Sequence, residues 1–197
     1  MKLHVFPASP NAKKVLMVNE LLGLNVPVQL VDITQGAHKS PAFLALNPNG
    51  RIPVLEFDDG RTLWESNAIA NCLASQVDTD LWPKSNDRYD IMRWQFWESC
   101  HWTPACSPFI SRHLFKDESI DLDKAQVQFH AFAGVLDSHL NSREWLSTEN
   151  MTTADISVGS ILHYRDKCLY PMSGYEHISQ WMQRIENLPA WQAIDSQ

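Results

Sequence analysis

The sequence has no basic excess, no long apolar run and no paired cysteines, and each lack removes a class of function. Its 197 residues carry 16 Lys and Arg against 23 Asp and Glu, a net charge of -7. A nucleic-acid partner needs a basic face to neutralise phosphates, so none is expected. No apolar stretch approaches the roughly 20 residues that cross a bilayer, so no membrane partner is expected either. Met1-Lys2-Leu3-His4-Val5 enters a strand-like alternation with no preceding apolar signal segment, which makes the cytoplasm the expected location. Cys72, Cys100, Cys106 and Cys168 form no Cys-x-x-Cys pair, and no His pair stands nearby at zinc spacing. Idle thiols and the absence of a metal site are therefore expected. There is no internal repeat and no low-complexity tract. The apolar fraction of 44% suits a chain that buries a core, as one large domain or two small ones.

The first third reads as alternating strands and helices. Lys2–Phe6 alternates with Leu3 and Val5 on one face, and Pro7-Ala8-Ser9-Pro10-Asn11 breaks it. From Ala12 to Leu24 the apolar residues Val15, Val18, Leu21 and Leu22 follow helical spacing, with Gly23 suited to a stop. Val26–Ile33 is rich in β-formers. Strand, helix, strand in this span predicts a βαβ unit with parallel strands. A short helix follows, begun by Ser40-Pro41.

The stretch Asn47–Ser66 organises this part of the chain. Asn47-Pro48-Asn49-Gly50 is a loop, Pro53 stands at the mouth of a strand, and Asp58-Asp59-Gly60 between apolar runs predicts a hairpin. A cis bond before Pro53 would turn the backbone of Ile52 outward, leaving its N–H and C=O to pair with an extended ligand. Glu65-Ser66 falls at the N-terminus of the next helix, where free N–H groups favour an anion. The predicted order is β-α-β-α-β-β-α over residues 1–76, in a four-stranded mixed sheet.

Residues 77–87 read as a linker and 88–197 as helical. Tyr89, Met92, Phe96, Trp97 and Cys100 mark one helix, which Pro104 and Pro108 are expected to break or kink. Phe129, Phe132, Leu136 and Leu140 form the stripe of another. Thr152-Thr153-Ala154-Asp155 has the form of a capping box, followed by a helix to about Cys168. Ile178–Glu186 is a last amphipathic segment, expected to end at Pro189.

Five segments in this order resemble the cytosolic glutathione transferases: Pro7-Ala8-Ser9, Gly36-Ala37-His38-Lys39-Ser40-Pro41, Asn47 to Leu55, Trp64-Glu65-Ser66-Asn67-Ala68-Ile69, and Thr152-Thr153-Ala154-Asp155-Ile156. The resemblance covers essentially the whole chain. It is closest to the Phi class and bacterial relatives, while Ser9-Pro10-Asn11 is also similar to the Thr-x-Asn turn of the Nu class. It implies a thioredoxin-like α/β N-terminal domain that binds glutathione, an all-α C-terminal domain, a homodimer, and glutathione as co-substrate without a further cofactor. Ile52, presented by Pro53, would pair with the cysteinyl unit. Glu65 would meet the γ-glutamyl ammonium and Ser66 its carboxylate, with His38 and Lys39 at the glycyl carboxylate. A small hydrophobic electrophile would lie against Trp97, Trp102 and Phe109, residues that interhelical packing also accounts for.

The chemistry requires a thiolate. A free thiol has a pKa of about 8.5 and is mostly protonated at neutral pH. Ser9, in the turn before a helix N-terminus, is placed to donate a hydrogen bond to the sulfur, and the helix dipole adds to it. Asn11 is the rival donor, and capping of the helix is the simpler role for Ser9. Lys13 and Lys14, in the same first turn, are expected to be exposed. The leading expectation is a glutathione transferase. A glutathione-dependent disulfide reductase or peroxidase and a non-catalytic binding protein of the same fold are the alternatives.

Overall fold

The computed structural model describes residues 1–195 and divides the chain into two compact units. Among these residues one unit comprises Met1–Trp82 with Pro189–Asp195, and the other Pro83–Leu188. The first begins with strand β1 (Lys2–Val5) and helix α1 (Pro10–Leu21), followed by β2 (Val28–Leu30) and α2 (Pro41–Leu46). Strands β3 (Val54–Glu56) and β4 (Thr62–Trp64) then lead into α3 (Ser66–Ala74). The sheet order is β2-β1-β3-β4. β1 runs parallel to β2 and antiparallel to β3, with Leu3 opposite Val28 on one side and Leu55 on the other. This is the mixed four-stranded sheet that the sequence predicts.

Local chemistry accounts for the elements. Pro10 opens α1, where a missing N–H costs nothing. The helix closes in a Schellman arrangement: the Gly23 N–H donates to Glu20 O, the Leu24 N–H donates to Asn19 O, and Gly23 adopts φ 56°. In the hairpin, Phe57 N–H donates to Arg61 O at 2.8 Å, and Gly60 turns the chain at φ 85°. Leu3, Val5, Val15, Val18, Val54, Leu55, Ile69 and Leu73 are buried as its core. The β-rich stretch from Val26 yields only three strand residues. β2 is an exposed edge strand, while Val26 and Val31 bury their side chains outside it.

The second unit contains α4 (Asp87–Trp97), α5 (Thr103–His113), α6 (Leu122–Leu140), α7 (Thr153–Ser160) and α8 (Glu176–Glu186). Its interior is aromatic: Phe129 packs against Trp102, Phe109 and Tyr170 at ring-centroid distances of 5.1–5.8 Å. Asp155 caps α7 as predicted, accepting from Thr152 N–H at 2.8 Å, while Thr152 Oγ1 accepts from Ala154 N–H at 3.3 Å.

One expectation is corrected and two are made more specific. The inward face of α4 is Ile91, Trp94 and Gln95, whereas Tyr89 and Phe96 are exposed. Aromatic residues on both faces hid the orientation. Pro104 and Pro108 do not break the chain of helices. A π turn over Glu98–Trp102 absorbs the misfit, with Thr103 N–H donating five residues back to Glu98 O, and α5 runs through Pro108. The segment of α8 ends before Pro189, as expected, but it is not the last helix of the chain. Pro189 does not close the fold. It begins a further helix, α9 (Pro189–Asp195), that packs with α1 in the first unit. No helix among the described residues is long and apolar enough to cross a membrane.

Candidate functional site

The turn between β1 and α1 presents Ser9 as the N-cap residue of α1, with extended backbone at φ -80° and ψ 130°. Its backbone is fixed at both ends. The Ser9 N–H donates to Phe6 O and the Ser9 carbonyl accepts from Lys13 N–H, both at 2.9 Å. Its hydroxyl does not cap the helix, and it has no partner among the described residues. The half-buried hydroxyl thus lies at a helix N-terminus without serving as its cap.

Asn11 is engaged differently. Its Oδ1 accepts from Ser66 Oγ at 3.1 Å, and Lys14 Nζ donates to the same Ser66 Oγ at 3.4 Å. The first turn of α1 and the N-terminus of α3 are therefore joined by side chains 55 positions apart. Lys13 and Lys14, expected to be exposed, are buried, with only 4% and 2% of their surface accessible. Lys13 pairs with Asp195 and lies 4.4 Å from the centre of the Trp191 ring. The sequence gives no sign of this, because both partners come from α9.

Glu65 precedes α3 with φ 75° and ψ 112°, an unfavourable backbone conformation for a residue with a Cβ. Its side chain is exposed, whereas Ser66 is buried as the first residue of α3. The peptide between Ile52 and Pro53 is cis. Ile52 packs its side chain against Val31, Phe43 and Val54, and among the described residues its backbone N–H and C=O have no partner.

Asn47, which sequence reasoning treated only as part of a loop, is buried and shapes that loop. Its Nδ2 donates to Arg51 O at 2.8 Å, and its Oδ1 accepts from Asn49 N–H at 3.0 Å. The following Gly50 has φ 57°, and a Cβ there would come within 2.8 Å of Lys39 Nζ and 3.0 Å of His38 O. Glycine lets the single turn Ala37–Lys39 lie against the loop, where Lys39 Nζ donates to Gly50 O at 3.3 Å. Lys39 is exposed, and His38 is half-buried with an unpartnered Nδ1.

Trp97, Trp102 and Phe109 lie in the second unit. Trp97 stacks on Trp102 at 5.8 Å and is half-buried, whereas Trp102 and Phe109 are enclosed in the aromatic interior. Cys106 is buried there, and burial together with the nearby Glu98 pushes its thiol well above the ordinary range. Cys100 is exposed. Among the described residues no group of His, Cys, Asp and Glu side chains could hold a metal ion.

Comparison with known proteins agrees with this architecture. Residues 8–76 match the family described as glutathione S-transferase, N-terminal domain, and residues 97–189 match glutathione S-transferase, C-terminal domain. Glutathione S-transferase 3 of Zea mays is 32% identical over 98% of this chain and 91% of its own length. The disulfide-bond oxidoreductase YfcG of Escherichia coli is 26% identical over 94% of this chain and 90% of its own. Among solved structures, the glutathione transferase URE2P8 from Phanerochaete chrysosporium, solved with oxidized glutathione, superposes with a TM-score of 0.89 at 28% identity, covering 99% of this chain and 93% of that one. With two family matches covering most of the chain, and a curated relative aligned almost end to end, the chain belongs to the glutathione transferase family.

Proposed function

We propose that this protein is a glutathione transferase that activates the glutathione thiol for attack on a hydrophobic electrophile. The observation that carries the reading is the Ser9 hydroxyl, seated at the N-terminus of α1 and not used as its cap. Glutathione is an extended tripeptide with a carboxylate at each end. The unpaired backbone of Ile52 suits its cysteinyl unit, and the N-terminus of α3 suits its γ-glutamyl carboxylate. Glu65 would take the γ-glutamyl ammonium, and Lys39 with His38 the glycyl carboxylate. Ser9 would donate to the sulfur and favour the thiolate. With an aryl chloride, the thiolate forms a C–S bond to the ring carbon and chloride departs.

Ser9→Ala tests this reading. A hydrogen bond to a charged group contributes about 1.5–3 kcal/mol, so kcat with 1-chloro-2,4-dinitrobenzene should fall about ten- to a hundredfold. The KM for glutathione should stay nearly constant, because the ammonium and carboxylate contacts remain. Unchanged turnover would remove Ser9 from the mechanism.

A second reading is favoured by the bond between Ser66 and Asn11 and by the similarity to a disulfide-bond oxidoreductase. In it Asn11 Nδ2 is the sulfur's donor. One glutathione thiolate attacks a substrate disulfide and expels a thiol. A second then resolves the mixed disulfide, yielding oxidised glutathione and the reduced substrate. Asn11→Ala separates the two. On the second reading it lowers turnover of a model disulfide by at least tenfold, the scale of one lost hydrogen bond, and affects the aryl chloride less. Equal rates for wild type and variant on the disulfide would defeat it.

A further inference from the structure

We propose that α9 is a strap that holds the first turn of α1 closed, so that docking of this helix and binding of glutathione at the Ser9 turn favour one another. This role rests on the reading of Ser9 as the sulfur's hydrogen-bond donor and adds regulation to that same site. α9 has seven residues. A helix this short is marginal on its own in water. It is therefore helical only while docked, and its folding and docking are one event. Its docking face is apolar: Ala190, Trp191 and Ile194 are buried, Trp191 to 2% exposure. The helix packs against α1.

This contact reaches the thiol turn through one residue. The Lys13 side chain is held from α9 on two sides, by the Asp195 carboxylate and by the Trp191 ring, whose centre lies 4.4 Å from Nζ. The Lys13 backbone N–H donates to Ser9 O at 2.9 Å, the bond that ties α1 to its N-cap residue. A cation at this end of a helix opposes the macrodipole, and Asp195 offsets it. When α9 leaves, Lys13 loses both of these contacts, and the opposition to the dipole falls on the turn that carries Ser9. As that turn loosens, the Ser9 backbone is no longer fixed on its carbonyl side, and the hydroxyl loses its set direction. A thiolate held by Ser9 acts in reverse: it favours the closed turn, and with it the docked helix. The two effects are equal in size, because coupling between two equilibria is reciprocal. The link joins side chains 182 positions apart.

Amide hydrogen exchange in α9 of the full-length protein tests the link. Saturating glutathione should slow this exchange about tenfold, within the usual range of coupling between sites. Trp191→Ala, which favours the undocked helix, should weaken glutathione binding by the same factor. S-Methylglutathione has no thiol to ionise, so its affinity should fall less than about threefold in the same variant. Asp195→Asn, which removes only the charge, should lie between wild type and Trp191→Ala, and it carries both readouts should Trp191→Ala fail to fold. Exchange in α9 that ignores bound glutathione overturns the proposal. A loss of affinity as large for S-methylglutathione as for glutathione also overturns it, by making α9 a general support of the first unit. If the wild type binds no glutathione, the functional reading falls, and the strap is then read in the ligand-free protein. The backbone amide resonance of Ser9 should move in Asp195→Asn, and an unmoved resonance overturns the strap as well.

Discussion

Asp155→Ala is expected to destabilise the second unit by about 3–5 kcal/mol. Asp155 is completely buried at the third position of α7, and both its carboxylate oxygens are in use. Oδ1 accepts from Leu146 N–H at 2.9 Å and from Trp181 Nε1 at 3.0 Å. Oδ2 accepts from Thr152 N–H at 2.8 Å and Thr152 Oγ1 at 3.1 Å. One side chain thus fastens the loop before α7, the start of α7 and the middle of α8. Removing it forfeits a cap worth about 1 kcal/mol. It also strands buried donors at about 1–3 kcal/mol each. Asp155→Asn should fall between wild type and alanine, because its NH2 must face the donating Thr152 N–H or the pair from Leu146 and Trp181. Burial pushes the Asp155 carboxyl above its usual range despite these donors. The folded state then binds this proton more readily than the unfolded chain. The part of its contribution linked to that proton is complete below the unfolded pKa and is lost as the pH rises through the raised folded value, while the hydrogen bonds to the carboxylate remain. Urea unfolding of the three proteins checks the order, and an alanine loss below about 1 kcal/mol would show that the network is not a principal support.

This cap was legible in the sequence because a box of four residues carries its own geometry. The same holds for the hairpin at Asp58-Asp59-Gly60 and for Pro41 opening α2. In each case the cause and the effect lie within one turn of chain. The readings that failed depend on distant partners. Lys13 looked like a solvated charge because its partner, Asp195, lies 182 positions later, on a helix that Pro189 was expected to exclude. Lys14 is buried too and donates to Ser66, a residue 52 positions later. The inward face of α4 was not legible, because Trp94, Phe96 and Trp97 give no apolar stripe that could fix a direction. In the candidate site, Ile52, Glu65 and Ser66 could be named from proline, carboxylate and helix start. The link between Ser66 and Asn11 could not, since it exists only once α1 and α3 pack together.

Glu65 offers a prediction in which stability and binding move in opposite directions. Its φ of 75° with ψ of 112° lies outside the small left-handed helical well open to residues with a Cβ. Such a conformation costs of order 1–3 kcal/mol and is held only where the surroundings impose it. Here the hairpin strand β4 ends at Trp64 and α3 begins at Ser66, so one residue must make the whole reversal. Glycine, with no Cβ, is less hindered than glutamate at this positive φ, at an entropic cost of about 0.5–1 kcal/mol. Glu65→Gly should therefore stabilise the first unit by up to about 1 kcal/mol, whereas Glu65→Ala, still strained, should leave it nearly unchanged. On the proposed reading both variants lose the carboxylate that meets the γ-glutamyl ammonium. Both should then bind glutathione about ten- to a hundredfold more weakly, the scale of one charge-assisted bond. Calorimetric titration with glutathione and urea unfolding of the same preparations give the two numbers. Wild-type affinity in both variants would remove Glu65 from the site. A glycine variant less stable than the alanine variant would show that the backbone at this position carries no strain worth relieving. A strained residue retained at a helix start, where glycine would be more comfortable, is what a side chain kept for binding rather than for folding should look like.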